Sequence, residues 1–307
     1  MRRAVIDLGT NTFNLLIGEK VESEWQIVHS DRIGVALGKG GICQSLLTPE
    51  AIKRALDALK QLVHVCREWR VSLLRAMGTS AIRDALNQGL FLQQVWDECG
   101  IEVEVISGLR EAEYIFNGVS RFHTASGSAV IMDIGGGSTE FVFMDQTKVN
   151  HAYSANIGLI RMAEQFQLSD PLKAEEIKAI EYWLNEATSE VFAKNQATDL
   201  IGASGTFETF FEMLFSHPYP QTLESQILPF NELMNCLDEL IHSSASWRKV
   251  HPNIITVRKH LSNLAALKSR WVIRTLGVKQ VYVSPASMKE GVLFGDDNEW
   301  NQNSNLL

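Results

Sequence analysis

One short pattern occurs twice in this chain and constrains everything else. Residues 4–18 read AVIDLGTNTFNLLIG, and residues 130–144 read VIMDIGGGSTEFVFM. Each copy runs an apolar stretch into an aspartate, Asp7 or Asp133. A glycine turn follows, Gly9-Thr10-Asn11-Thr12 in one and Gly135-Gly136-Gly137-Ser138 in the other, and then a second apolar stretch, Phe13 to Gly18 or Glu140 to Met144. Short apolar runs separated by turn residues predict a β-hairpin in each place. A repeated unit of this kind predicts two similar halves.

Periodicity fills in the halves. In the first, Trp25 to His29 predicts a third strand, Pro49 to Arg67 a helix with Thr48 as its N-cap, and Leu73 to Met77 a strand. A helix is expected from about Ser80 toward Cys99, a strand from Glu102 to Ile106, and a helix opening at Glu111. In the second, a helix is expected from Asp170-Pro171 to about Lys194. LIGASGT at 200–206 reads as a strand and glycine turn, Phe207 to Phe215 as a helix and 216–229 as a loop. Helices over about 230–243 and 256–276 and a last strand from Gln280 to Ser284 complete the set. Mixed strands and helices make an α/β protein. The boundaries expected are 1–123 for the first domain, with about 286–307 able to return to it, and 124–285 for the second.

Composition narrows the partners. Lys and Arg total 28 against 36 Asp and Glu in 307 residues, a net charge of −8. The field of the whole molecule therefore opposes polyanions unless cations gather locally, and neither a basic run nor a basic, aromatic-studded face suggests nucleic acid. The lysines and arginines at Arg54, Lys60, Arg67 and Arg70, and at Lys268, Arg270 and Arg274, read as solvated helix faces. Cys43, Cys66, Cys99 and Cys236 form no motif, as expected of thiols kept reduced in a cytoplasmic protein. Asp7, Asn11 and Asn14 interrupt the opening apolar run too early for a signal peptide, and no run is long enough for a membrane span.

Glycine lets the main chain approach an anion, because no Cβ stands in the way. Gly135, Gly136 and Gly137, with Ser138 and Thr139, supply such donors and two hydroxyls. A lone GGG is more often a plain hairpin turn. The duplicate at Gly9, Thr10, Asn11 and Thr12 and the third turn at Ser204, Gly205 and Thr206 favour a phosphate cradle built from both halves. Asp133, Glu140 and Asp7 are hard oxygen ligands beside it, suited to Mg²⁺ or another divalent cation. The alternative for Asp133 is a turn-forming acid that caps the N–H of Gly136 or Gly137; metal contact is favoured over it for Asp133 and Glu140, and less so for Asp7.

Six ordered segments carry a resemblance: MGTSAIRDALN, VEVISGLREAEYIFNGV, VIMDIGGGSTEFVF, NIGLIRMAEQF, GASGTFETF and SPASMKEGVLFGD. Together they resemble the exopolyphosphatase and guanosine pentaphosphate phosphohydrolase family, in its short two-domain form, within the actin, hexokinase and Hsp70 superfamily. The resemblance implies two duplicated actin-like (ribonuclease H-like) α/β domains flanking a cleft, and a Mg²⁺-dependent hydrolase acting on polyphosphate or a phosphorylated guanine nucleotide. It also implies Glu111 as catalytic base and Arg83 on the phosphate chain. A Glu at a helix start is favoured by the helix dipole alone, and Arg83 has salt-bridge alternatives in Asp84 and Glu98. Glu113 points roughly 200° away around the helix. Lys289 and Arg161 are further candidates for the cleft or for solvent. The pattern departs at Ala36 and Arg110, and at Lys259-His260-Leu261, where an Asp is missing; these bear on substrate choice. A homodimer would lengthen the anion track. The other functions open to such a chain are a superfamily kinase using ATP and a non-catalytic module sensing a phosphorylated nucleotide.

Overall fold

The structure, a computed structural model, describes residues 1–220 and 224–307. The chain divides into two compact units. The first comprises Met1–Gly118, Gly135–Gly137 and Met288–Leu307, and the second Val119–Ile134 and Ser138–Ser287.

In the first unit, β1 (Arg2–Leu8), β2 (Thr12–Val21) and β3 (Glu24–Gly34) form an antiparallel meander. Helix α1 (Pro49–Glu68) leads to β4 (Leu73–Gly78), parallel to β1. Then come α2 (Ser80–Arg83), α3 (Gln88–Cys99), β5 (Val103–Val105) and α4 (Gly108–Ser120). Thr48 caps α1, its Oγ1 accepting from the Ala51 N–H at 3.2 Å. Ile6, Leu8, Phe13, Leu15 and Ile17 alternate inward and share one core with Leu59, Leu62 and Cys66 of α1.

Two helix expectations fail here for local reasons. The helix expected from Ser80 to Cys99 is broken between Arg83 and Gln88. The Asn87 amide clasps Leu47, donating to its carbonyl at 2.8 Å and accepting from its N–H at 3.0 Å, which draws the chain out of the helical path. The helix expected to open at Glu111 opens at Gly108, because Ser107 Oγ accepts from the Arg110 N–H at 3.1 Å and satisfies one of its first donors.

The second unit repeats the plan. β6 (Ser128–Ile134), β7 (Thr139–Asp145) and β8 (Lys148–Ala155) form a meander, followed by α5 (Leu159–Gln165) and α6 (Ala174–Lys194). β9 (Asp199–Ala203) runs parallel to β6, as β4 does to β1. Next come α7 (Gly205–Phe215), β10 (Gln226–Leu228), α8 (Phe230–His242), α9 (Ala245–Val250), α10 (Ser262–Leu276) and β11 (Gln280–Val283). The sheet order is β10-β11-β9-β6-β7-β8.

Several expectations are corrected here. β8 was not expected, since its alternation is polar. The 216–229 loop contains β10, and its residues 221–223 lie outside the described residues. α6 begins at Ala174, three residues after Pro171. A 3₁₀ turn at Thr256–Arg258 precedes α10, so the helix expected from 256 begins at Ser262.

The C-terminal segment returns to the first unit as α11 (Met288–Leu293), α12 (Asp297–Asn303) and β12 (Asn305–Leu306). β12 pairs antiparallel with β4, so Gln280 to Ser284 is not the last strand. Trp300 is 1% exposed, donates Nε1 to the Val292 carbonyl at 3.0 Å and stacks on the Arg3 and Arg75 guanidiniums. Trp300→Ala is expected to cost about 3–5 kcal/mol, read as a lower denaturant midpoint. Among the described residues no helix is long and apolar enough to cross a membrane. Cys66, Cys99 and Cys236 are buried thiols, and burial pushes Cys66 up to about 12.

Candidate active site

Each hairpin presents its aspartate at the same place, the end of the first strand, but opposite a different partner. In the second unit the β6–β7 register sets Asp133 directly across from Glu140. Like charges directly opposed on neighbouring antiparallel strands repel, with side chains only ~5 Å apart. Each is held by a serine. Ser204 Oγ donates to Asp133 Oδ1 at 2.6 Å, and Ser154 Oγ donates to Glu140 Oε1 at 2.7 Å. Glu140 is 2% exposed, and Ser138 and Thr139 are equally enclosed.

Ser204 reaches Asp133 from a strained backbone, φ 65° and ψ −178°, a region populated almost wholly by glycine. The residues after it, Gly205 and Thr206, open α7. The Arg258 guanidinium lies so close over Gly205 that a Cβ there would overlap it. Arg258 is held by Glu208 at 3.0 Å and Thr209 at 2.9 Å. This arginine was not singled out from sequence; Arg258 immediately precedes the Lys259-His260-Leu261 departure.

Lys268 corrects the expectation of a solvated helix face. It is fully buried, and its ammonium donates to Thr139 Oγ1 at 3.0 Å and to the Ile157 carbonyl. Burial lowers its pKa to about 7, against the opposing pull of the Glu140 carboxylate. Arg270, also expected at a solvated face, is 7% exposed and pairs with Asp238 and Glu181.

In the first unit Asp7 faces Asn14 rather than an acid. Asn14 Nδ2 donates to Asp7 Oδ2 at 3.1 Å, and its Oδ1 accepts from Arg32 Nε at 3.2 Å. The turn between them is clasped from outside. The N–H groups of Val35 and Ala36 donate to the Asn11 carbonyl, and that of Gly38 to the Thr10 carbonyl. A Cβ on Gly9 would lie 2.8 Å from the Thr12 carbonyl oxygen.

The three-glycine turn belongs to this unit. A Cβ on Gly137 would stand 2.5 Å from Ser80 Oγ and 2.8 Å from Thr10 Oγ1. Two hydroxyls therefore converge on bare main chain, beside Gly135 and Gly136. Ser80, 2% exposed at the start of α2, had no signal in the sequence beyond its position after the β4 glycine. Gly137→Ala is expected to push both hydroxyls aside and lower stability by about 1–3 kcal/mol, measured by chemical denaturation.

One turn beyond Ser80, Arg83 NH1 donates to Glu111 Oε2 at 3.0 Å and to the Ile106 carbonyl at 3.1 Å. The two side chains are 18% and 12% exposed. Asp84 is the weaker partner at 3.6 Å, and Glu98 pairs with Lys60 instead. Arg110 bridges Glu113 and Glu299, at 2.6 and 2.5 Å. Lys289 pairs with Glu290 at 3.0 Å, and Arg161 lies on α5 of the other unit.

Among the described residues no three His, Cys, Asp or Glu side chains gather as an all-protein metal cage. Mg²⁺ does not require one, since it commonly takes one or two carboxylates and completes its shell with water and phosphate. The opposed Asp133 and Glu140 suit that demand, and a cation would also relieve their repulsion. Asp7 faces Asn14 across its hairpin and so offers a single carboxylate there.

A family model described as the Ppx/GppA phosphatase family matches residues 16–299. The chain is 33% identical over 221 residues, 68% of its length, to Exopolyphosphatase 2 of Mycobacterium tuberculosis. It is 32% identical over 218 residues, 69% of its length, to a guanosine-5'-triphosphate,3'-diphosphate pyrophosphatase of Photobacterium profundum. These stretches make up 69% of the first relative and 44% of the second. The crystal structure of an exopolyphosphatase from Cytophaga hutchinsonii superposes with a TM-score of 0.91 at 33% identity, covering 96% of this chain and 97% of that one.

Proposed function

The chain belongs to the Ppx/GppA phosphatase family, and from that premise we propose that it is a divalent-cation-dependent phosphoanhydride hydrolase. Its substrate is inorganic polyphosphate or a guanosine pentaphosphate-type nucleotide, from which it releases the terminal phosphate. One observation carries this reading. The β6–β7 hairpin sets two carboxylates opposite each other on either side of a turn of three glycines. Such a hairpin repels itself unless a cation is held there, and bare main chain beside a cation suits a phosphate.

In the proposed reaction, Glu111 orients a water molecule and takes its proton as the water oxygen bonds to the terminal phosphorus. The bridging P–O bond breaks, and the shortened chain departs with the electron pair. Arg83 presents five N–H donors, so it can hold Glu111 with one edge and receive a phosphate oxygen with another. The turns at Gly9–Thr12 and Gly135–Gly137, with Ser138, Thr139, Ser204, Gly205 and Thr206, bind phosphate. Asp133 and Glu140 would hold the divalent cation, which neutralises charge on the phosphate oxygens when bound.

The test is phosphate release from long polyphosphate, tripolyphosphate, guanosine pentaphosphate and ATP, side by side with Mg²⁺. Release is expected from at least one of the first three. Failure on all four overturns the reading.

A further inference from the structure

A lysine inside a protein core is costly unless its three donors are matched and its charge is balanced. Lys268 of α10 is 0% exposed. Its ammonium contacts the hydroxyl of Thr139 and the carbonyl of Ile157. Thr139 and Ile157 flank the region of interest: Thr139 begins β7 immediately before Glu140, and Ile157 lies between β8, which carries Ser154, and the Gly158 that starts α5. The ammonium therefore ties together the two segments from which Glu140 and its serine partner project. The Glu140 carboxylate, next to Thr139 in β7, opposes in part the effect of burial on the lysine.

We infer that Lys268 is a positioning residue of the second unit's half-site: its buried ammonium, held by Thr139 and Ile157, fixes the start of β7, and with it Glu140, against the β8–α5 turn. The inference rests on the phosphate-binding role proposed above for this hairpin. Asp133 and Glu140 bring two negative charges to a place meant for an anionic chain. When protonated, the lysine also adds positive charge near these two carboxylates. An ammonium has donors only, so Thr139 Oγ1 must accept from it. This fixes the rotamer of the residue that leads into Glu140.

The experiment is calorimetric binding of tripolyphosphate, with metal removed by chelation, to the wild type, Lys268→Met and Lys268→Ala. Lys268→Met keeps an unbranched side chain, one atom shorter, and removes its charge and donors. It is expected to fold, as judged by circular dichroism, and to bind about 10-fold or more weakly, as when a supporting partner of a site residue is lost. Lys268→Ala leaves a channel the length of the lysine stem. Ethylammonium at millimolar concentration is expected to restore binding to it and to leave the wild type unchanged, which a merely structural lysine would not show. If Lys268→Met fails to fold, the alanine variant prepared in ethylammonium supplies the comparison. Wild-type affinity in the folded variants, or no response to ethylammonium, overturns the inference and leaves the proposed function standing. A wild type that does not bind tripolyphosphate without metal overturns the inference, and the proposed function is then decided separately by the phosphate-release test with Mg²⁺.

Discussion

Glu111→Gln should fold as the wild type does and release phosphate roughly 100- to 10,000-fold more slowly, the span associated with loss of a general base. Glutamine keeps the shape of the side chain and can still accept from Arg83 NH1, so the start of α4 has no reason to move. What it cannot do is take a proton from water. The Arg83 guanidinium meanwhile loses its closest counter-ion, at 3.0 Å, and has more of its charge left for the substrate. The expected signature is a collapsed kcat with KM unchanged or lower, measured as phosphate release with Mg²⁺. A variant that turns over at the wild-type rate would falsify the assignment of Glu111 as base.

Asp133→Asn also separates stability from activity. The amide reproduces the acid-and-amide pairing already present at Asp7 and Asn14, and its oxygen can still accept from Ser204 Oγ. Removing one of two opposed charges should leave stability unchanged or raise it by about 0.2–1 kcal/mol. Losing a carboxylate of the cation site should nevertheless cost several kcal/mol of transition-state stabilisation, a fall of about 100-fold or more in kcat/KM. Thermal unfolding and phosphate release over a Mg²⁺ series read the two together. A variant that is markedly destabilised would mean that Asp133 serves the turn, and one that is fully active would mean that it holds no cation the reaction needs.

The hairpins were legible because turn chemistry and apolar runs are local properties, and the structure places both where the repeat predicts. The opposition of Asp133 and Glu140 follows from hairpin register once the turn is placed. Other features depend on partners distant in sequence. α2 and α3 separate because Asn87 finds Leu47, and no window around residue 84 contains that information. β8 pairs along β7 with Lys148, Asn150 and His151 in its run, so its polar alternation hides a strand whose order comes from its neighbour. Lys268 misled most. LAALKSRWVI has the charge spacing of a wet helix face, yet Ser262 to Ile273 are all buried, and the lysine is balanced by residues from β7 and the β8–α5 turn. Ser80 and Arg258 are brought to the turns by the tertiary fold, against Gly137 and Gly205, where there is no room for a Cβ.

The return of Met288–Leu307 to the first unit has a consequence for synthesis on the ribosome. The leading segment emerges first but lacks β12 beside β4, and lacks Leu293, which packs against Gly18. Most of the second unit, a nearly continuous insert, is complete before those pieces are made. The usual vectorial order, with the N-terminal domain finishing first, is therefore inverted for closure. β5 already covers Ala76 to Gly78 on that edge of β4, but Leu73 and Leu74 stay unpaired until Asn305 and Leu306 arrive, a short stretch of open strand edge in the interval.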